Sequence, residues 1–135
     1  MKRDVVVLIP LLCLAATASA ISPARLLSTL SLQLREARTM PPDPDLIRGR
    51  CPDNLPLLVG IRKRRIRDAL GAPDMELDPS KERGDEGVWF YAFVNTNSFR
   101  PRSDGAVPKG GGFAQVMFTF DASARVVEAT CTYAE

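Results

Sequence analysis

The sequence contains no histidine among its 135 residues. It therefore offers no imidazole base, no histidine-supported nucleophile and no histidine metal ligand. It also has little net charge, because 18 Lys and Arg against 16 Asp and Glu leave a formal charge of +2. A charge this small gives no general attraction to nucleic acid. We expect a non-catalytic protein without cofactor or bound metal, whose partner is not a nucleic acid.

Two segments have some features of chemical sites, but neither has the context that such a site needs. In PKGGGF, Pro108–Phe113, the lysine precedes the glycines, whereas a phosphate-binding loop has its glycines before a Lys-Ser/Thr pair that opens a helix. In KERGDEG, Glu82, Asp85 and Glu86 lie among basic residues, as is typical of a solvated loop. An enzyme would have to work with carboxylates and hydroxyls alone, which is the weaker hypothesis.

Long apolar runs are absent except at the N-terminus, where MKRDVVVLIPLLCLAATASA has the pattern of a secretory signal peptide. Lys2 and Arg3 form its positive region, Val5–Leu14 its apolar region, and the ASA at positions 18–20 its cleavage site. The run is shorter than a membrane-spanning helix requires. We predict that residues 1–20 are removed on export, and that the protein is periplasmic or secreted.

Cysteine is scarce, with Cys13, Cys51 and Cys131 the three in the chain. Lipoprotein processing at Cys13 is an alternative to signal cleavage, but Leu12 occupies a position that favours a small residue. A lipid anchor in the outer membrane is therefore not expected. Cys51 and Cys131 remain after cleavage, and two cysteines in an oxidising compartment predict a disulfide. Without histidine they cannot complete a zinc site.

A helix is predicted from Pro23 to Arg38, because Ser22 is a good N-cap and proline suits the first helical position. Its apolar residues recur at helical spacing, and TMPPDPD ends it. We interpret the helix as a cover for a sheet, with partner docking as the alternative. Residues 21–50 are assigned to this helix and a Pro-rich linker, and residues 51–135 to the main domain.

The segment IRKRRIRDALGAP, Ile61–Pro73, carries five cations within six residues. Ile66 and Leu70 share one face of a predicted short helix, and Gly71 ends it. The helix lacks the interleaved aromatic residues with which single-strand binders stack on bases. It is interpreted as a solvated basic face, with contact to an acidic partner or to anionic lipid headgroups as the alternative. The candidate contact residues on its outer side are Arg64, Arg65 and Arg67.

Three β-strands are predicted in the second half, over Val88–Val94, Phe113–Phe120 and Arg125–Tyr133. The first is apolar on both faces and should lie centrally. Residues 74–86 are predicted to form a short strand or turn plus an exposed loop. The long loop over residues 95–112 is a second candidate contact region, because aromatic and arginine side chains dominate interface hot spots. Its candidate residues are Phe99, Arg100 and Arg102.

These motifs together resemble the SmpA/OmlA family, the small outer-membrane lipoprotein of the β-barrel assembly machinery and its relatives. The similarity covers residues 57–131. It is carried by Gly60-Ile61, Ile66 and Leu70-Gly71-Ala72-Pro73, by Trp89 and Tyr91, and by Phe120-Asp121 and Arg125-Val126-Val127.

The resemblance implies an α+β fold with two helices packed on a three-stranded antiparallel sheet, similar to that of β-lactamase-inhibitory proteins. It also implies a non-catalytic exported domain that binds another envelope or secreted protein, as an accessory of envelope or outer-membrane assembly. The alternative is an inhibitor of a secreted or periplasmic enzyme, binding through the 95–112 loop and the sheet face. The chain departs from the family at Arg62, where Thr or Ser is usual, and in its missing lipidated cysteine.

Overall fold

The computed structural model describes residues 20–41, 50–95 and 113–134. Helices and antiparallel strands occur together in these ranges, so the predicted α+β class is confirmed. Residues 1–19 of the predicted signal peptide lie outside them, and that peptide stays a prediction. In chain order the elements are α1 (Pro23–Thr39), a 3₁₀ turn (Leu55–Leu58), α2 (Lys63–Leu70), β1 (Met75–Leu77), β2 (Val88–Ala92), β3 (Phe113–Phe120) and β4 (Val126–Ala134).

The sheet has four strands in the order β1-β2-β3-β4, with each neighbouring pair antiparallel. The prediction of three strands is therefore wrong, because Met75–Leu77 adds an edge strand to β2. All three of its side chains are exposed, so it has no alternation between buried and exposed positions. Without that alternation the sequence predicted only a short strand or turn within residues 74–86, and not its place in the sheet. The prediction that β2 lies centrally is confirmed.

Helix α1 covers one face of the sheet, as predicted. The Ser22 side chain accepts a hydrogen bond from the Arg25 N–H at 3.2 Å, which caps the first turn. The helix is anchored at its other end by Arg38, whose guanidinium donates to both carboxylate oxygens of Asp74 at 3.1 and 3.0 Å. Its buried residues belong to the same core as the sheet and are Leu26, Leu27, Leu30 and Leu34.

The core lies between the helices and one face of β2 and β3. Trp89 contacts Phe120 edge-on, with ring centroids 5.0 Å apart, and Tyr91 contacts Phe118 in the same way at 5.9 Å. Such edge-to-face pairs stabilise a core beyond the area that they bury. The helical residues in this core include Ile66 of α2, which is fully buried. The core therefore positions α2 directly against the aromatic part of the sheet.

A buried tyrosine joins the end of α2 to the sheet. The Tyr91 hydroxyl donates a hydrogen bond to the carbonyl oxygen of Gly71 at 2.9 Å. Gly71 ends α2 with φ +81°, a backbone conformation that favours glycine. Burial raises the pKa of Tyr91 well above its ordinary value. The native state thus holds this side chain as a neutral hydrogen-bond donor.

Replacing Tyr91 by phenylalanine is expected to remove part of the alkaline loss of stability. Because the native state raises the pKa of this phenol, its stabilisation is complete below about pH 10, the unfolded value, and is lost as the pH rises further. Urea unfolding at about pH 8 and about pH 11 should show a larger loss for the wild type than for Tyr91→Phe. Equal losses in the two proteins would contradict this.

Two local constraints hold the β3–β4 hairpin, and one of them is the predicted disulfide, which is confirmed. At the turn between β3 and β4, the Asp121 carboxylate accepts hydrogen bonds from the N–H groups of Ser123 and Arg125 at 2.9 and 3.0 Å. These bonds, with that of the Ser123 hydroxyl, hold the pKa of Asp121 below its usual range. Cys51 and Cys131 form a disulfide with a Cα–Cα distance of 5.7 Å, which ties the segment before the 3₁₀ turn to β4.

Candidate functional site

The cations of α2 divide into two groups with different surroundings. Ile66 and Leu70 are buried one turn apart, which fixes the rotation of the helix on the sheet. Lys63 and Arg67, also one turn apart, then lie above the ring of Trp89. The Lys63 Nζ is 4.6 Å and the Arg67 Cζ 4.8 Å from the ring centroid. Cations in this position are attracted by the negative face of the ring.

The helical pattern predicted that Arg67 points to solvent with Arg64 and Arg65. It instead lies over the ring of Trp89. Its guanidinium also donates to Glu76 of β1 at 2.9 Å, and the two side chains are each about half exposed. Arg67 joins α2 to β1 and to Trp89. Its contacts with Glu76 and Trp89 explain its position, and its role in partner binding stays a prediction.

Arg64 and Arg65 form the outward part of the basic helix. The Arg64 side chain is 90% exposed, and its Nε lies 3.9 Å from the Asp68 carboxylate. An exposed pair at this distance contributes little to stability. Arg65 is exposed as well and lies beside α1. We call Arg64 and Arg65 the outer arginines.

The first turn of α2 has the wrong charge for its own stability. Arg62 occupies the N-cap without a side-chain hydrogen bond to the helix, and the first turn contains no acidic residue. Lys63, Arg64 and Arg65 follow directly. The N-terminus of a helix carries partial positive charge, so each of these cations is placed unfavourably. Such an arrangement, which lowers the stability of the helix, is typical of surfaces that serve a function such as binding.

The remaining sequence candidates lie either outside the described residues or in the loop between β1 and β2. Phe99, Arg100 and Arg102, the rest of the 95–112 loop after Asn95, and most of PKGGGF lie outside the described residues and stay predictions. In KERGDEG, Asp85 accepts from Arg83 at 2.8 Å and from the Gly87 N–H at 3.0 Å. The Arg83 guanidinium lowers the pKa of Asp85, which holds the carboxylate ionised. Asp85 thus closes a loop between β1 and β2.

The sheet face was also predicted to contact a partner. On the side away from the helical core, Met75 and Leu77 at the edge are exposed, whereas Val88 is buried. The face is therefore not uniformly open to solvent, and its predicted role in binding rests on the resemblance alone.

Sequence reasoning missed an open groove between α1 and α2, with a volume of about 640 Å³. Leu32 on its α1 side is 65% exposed, more than any other large apolar side chain among the described residues. The signal was present as small residues at helical spacing, Ala24, Ser28 and Ser31, next to this leucine. Arg35 and Arg65 also line the groove.

Within residues 20–41, 50–95 and 113–134, no group of acidic and cysteine side chains is arranged to hold a metal ion. The helices of these ranges are also too short or too polar to cross a membrane. Comparison of the chain with protein-family models, with characterised proteins and with solved structures gave no match. The surface is therefore interpreted from its own residues.

Proposed function

We propose that the chain is a non-catalytic, exported protein-binding domain, and that the outer arginines contact an acidic partner. The observation that carries this proposal is the charge of the first turn of α2, where cations oppose the helix dipole. Stability alone would favour acidic residues there. Both outer arginines are exposed, and the pair of Arg64 with Asp68 is long at 3.9 Å, so most of their charge is available to a partner.

The packing of α2 supports this role. Lys63 and Arg67 contact Trp89 from the same side of the helix, and Ile66 between them is fully buried. A binding residue is most effective on an element whose orientation is fixed by the scaffold. The outer arginines are presented in this way, from a short helix held on an aromatic core.

The finer proposal is an accessory of envelope or outer-membrane assembly, located in the periplasm or secreted. Its support is the resemblance to the SmpA/OmlA family and the signal-peptide pattern. Gly71, which ends α2, and Asp121, which closes the β3–β4 turn, are among the residues that carry the resemblance. Anionic lipid headgroups are the alternative partner for a basic surface.

Reversing the outer arginines is expected to affect stability and binding in opposite directions. Arg64→Glu/Arg65→Glu should raise the free energy of unfolding by about 0.5 kcal/mol, because negative charge at the helix N-terminus outweighs two smaller costs, the loss of the weak Arg64–Asp68 pair and the repulsion between Asp68 and a carboxylate at position 64. The same variant should recover much less partner when the full chain is crosslinked in intact cells and identified by mass spectrometry. Urea unfolding supplies the stability measurement.

Lys81→Glu is the matched control, since it reverses one exposed charge in the turn between β1 and β2. Undiminished capture by the double variant would reject the role of the outer arginines. Barrel-assembly components among proteins captured by the wild type would favour the envelope accessory. A single secreted or periplasmic enzyme would favour the inhibitor instead.

A further inference from the structure

The groove between α1 and α2 has the shape of a helix-binding surface. Ala24, Ser28 and Ser31 are spaced four and three residues apart, so their small side chains follow one line along α1. Leu32 stands beside this line and is 65% exposed. Small residues allow close approach of another helix, and a neighbouring large apolar side chain supplies an anchor.

The groove is open rather than enclosed, which decides between classes of ligand. Its volume of about 640 Å³ lies within the range of small-molecule pockets. Such pockets, however, surround most of the ligand's surface, and an open groove between two helices does not. A partner helix laid along the groove would cover Leu32 and still leave its own polar face in water.

The charged residues that line the groove indicate which charge a ligand should carry. Arg35 of α1 and Arg65 of α2 line it from its two sides. Asp68 also lines it on the α2 side, so the lining carries two cations and one anion. The rest of the lining combines apolar side chains with the hydroxyls of Ser28 and Ser31. The excess of positive charge favours acidic residues on the ligand.

We propose that this groove binds an acidic amphipathic helix of a partner protein. The helix places an apolar ridge against Leu32 and the small residues of α1, and directs Glu or Asp side chains to Arg35 and Arg65. This inference rests on the proposed function as a protein-binding domain, and it names the part of the partner that is recognised. Arg64, the other outer arginine, extends the cationic border beyond the groove.

The test uses a synthetic helical peptide of about 16 residues, labelled for fluorescence anisotropy, with Leu at i, i+3, i+4 and i+7 and Glu on both flanks. A second peptide carries Lys at each Glu position. The full chain should bind the acidic peptide and not the basic one. Leu32→Glu should weaken this binding at least about tenfold, because it places a charge at the apolar anchor. Arg35→Glu should weaken it and shift preference towards the basic peptide.

Both substituted positions are exposed, so the variants should keep the thermal midpoint of the wild type. Equal binding of the two peptides, absence of binding, or an undiminished affinity in Leu32→Glu would overturn the proposal. Displacement of the acidic peptide by anionic phosphatidylglycerol vesicles, but not by neutral ones, would also overturn it in favour of lipid headgroups.

The same variants separate this inference from the proposed function. If Leu32→Glu/Arg35→Glu still captures the partner that Arg64→Glu/Arg65→Glu loses, the domain binds protein outside the groove, and the groove proposal fails alone. If neither variant changes capture, both proposals fail. Loss of capture in both variants, with selective binding of the acidic peptide, supports both.

Discussion

Replacing Trp89 by alanine is expected to lower the free energy of unfolding by roughly 3–5 kcal/mol, the cost of removing a large aromatic side chain from a packed core. Trp89 is only 4% exposed and packs edge-on against Phe120. The cations of Lys63 and Arg67 lie over its ring, so the variant also removes the aromatic ring against which α2 packs. Because Trp89 is the single tryptophan, unfolding should be followed by circular dichroism.

Trp89→Phe is the matched control, because it keeps an aromatic ring in the core. A double-mutant cycle that combines Trp89→Ala with Arg67→Ala measures the contact between the Arg67 cation and the ring, with an expected coupling of about 0.5–1 kcal/mol. The cycle is measured with the disulfide intact in every variant. A loss below about 1 kcal/mol in Trp89→Ala would contradict the view that this residue anchors α2 to the sheet.

The same anchoring explains why only part of the basic helix could be interpreted from sequence. The spacing of Ile66 and Leu70 correctly gave the buried face, and Gly71 correctly gave the end of the helix. Helical periodicity cannot show that Trp89 lies beneath one flank, since that contact is made across 22 residues of sequence, from Arg67 to Trp89. Arg67 therefore had the pattern of a solvent residue and the contacts of a structural one.

Each strand of the sheet was predicted as well as its buried and exposed side chains alternate along the sequence. β3 was predicted with its observed bounds, Phe113–Phe120, because its side chains alternate between buried and half-buried positions. β1 lacks such a pattern, and its pairing with β2 is created by tertiary structure. A short strand or turn was predicted within residues 74–86, but its place in the sheet was not. The 3₁₀ turn, Leu55–Leu58, was missed, since four residues that include a proline do not establish a helical period. Elements defined by a neighbour rather than by their own periodicity were thus predicted in part or not at all.

The groove shows the same limit for the candidate site. In the sequence, Ser28 and Ser31 have the pattern of ordinary solvent-facing helix residues, and Leu32 that of a single apolar residue outside the buried stripe. They become a surface only when α2 packs beside α1 and brings Arg65 to the opposite side. Sequence can identify the members of such a surface, but their juxtaposition depends on how two helices rest on one sheet.

Removing the disulfide by Cys51→Ser/Cys131→Ser is expected to cost about 4 kcal/mol, because the bond closes a loop spanning 80 residues. This is a large part of the 5–15 kcal/mol that stabilises a typical domain. The midpoint of thermal unfolding should fall by at least about 15 °C. The double substitution is preferred to a single one, which would leave a free thiol able to crosslink two chains.

This loss should be nearly independent of the binding surface. In the chain-entropy account the disulfide acts mainly by restricting the unfolded chain, and its removal leaves native contacts in place. Below its midpoint the double variant should therefore bind the acidic peptide as the wild type does. The Cys51 N–H donates to the Tyr133 hydroxyl at 3.4 Å, and this backbone donor at position 51 is kept in the variant and helps to hold the segment on β4. An unchanged midpoint would contradict the expected stabilisation. Peptide binding lost at temperatures where the variant is folded would show that the disulfide also shapes the native surface.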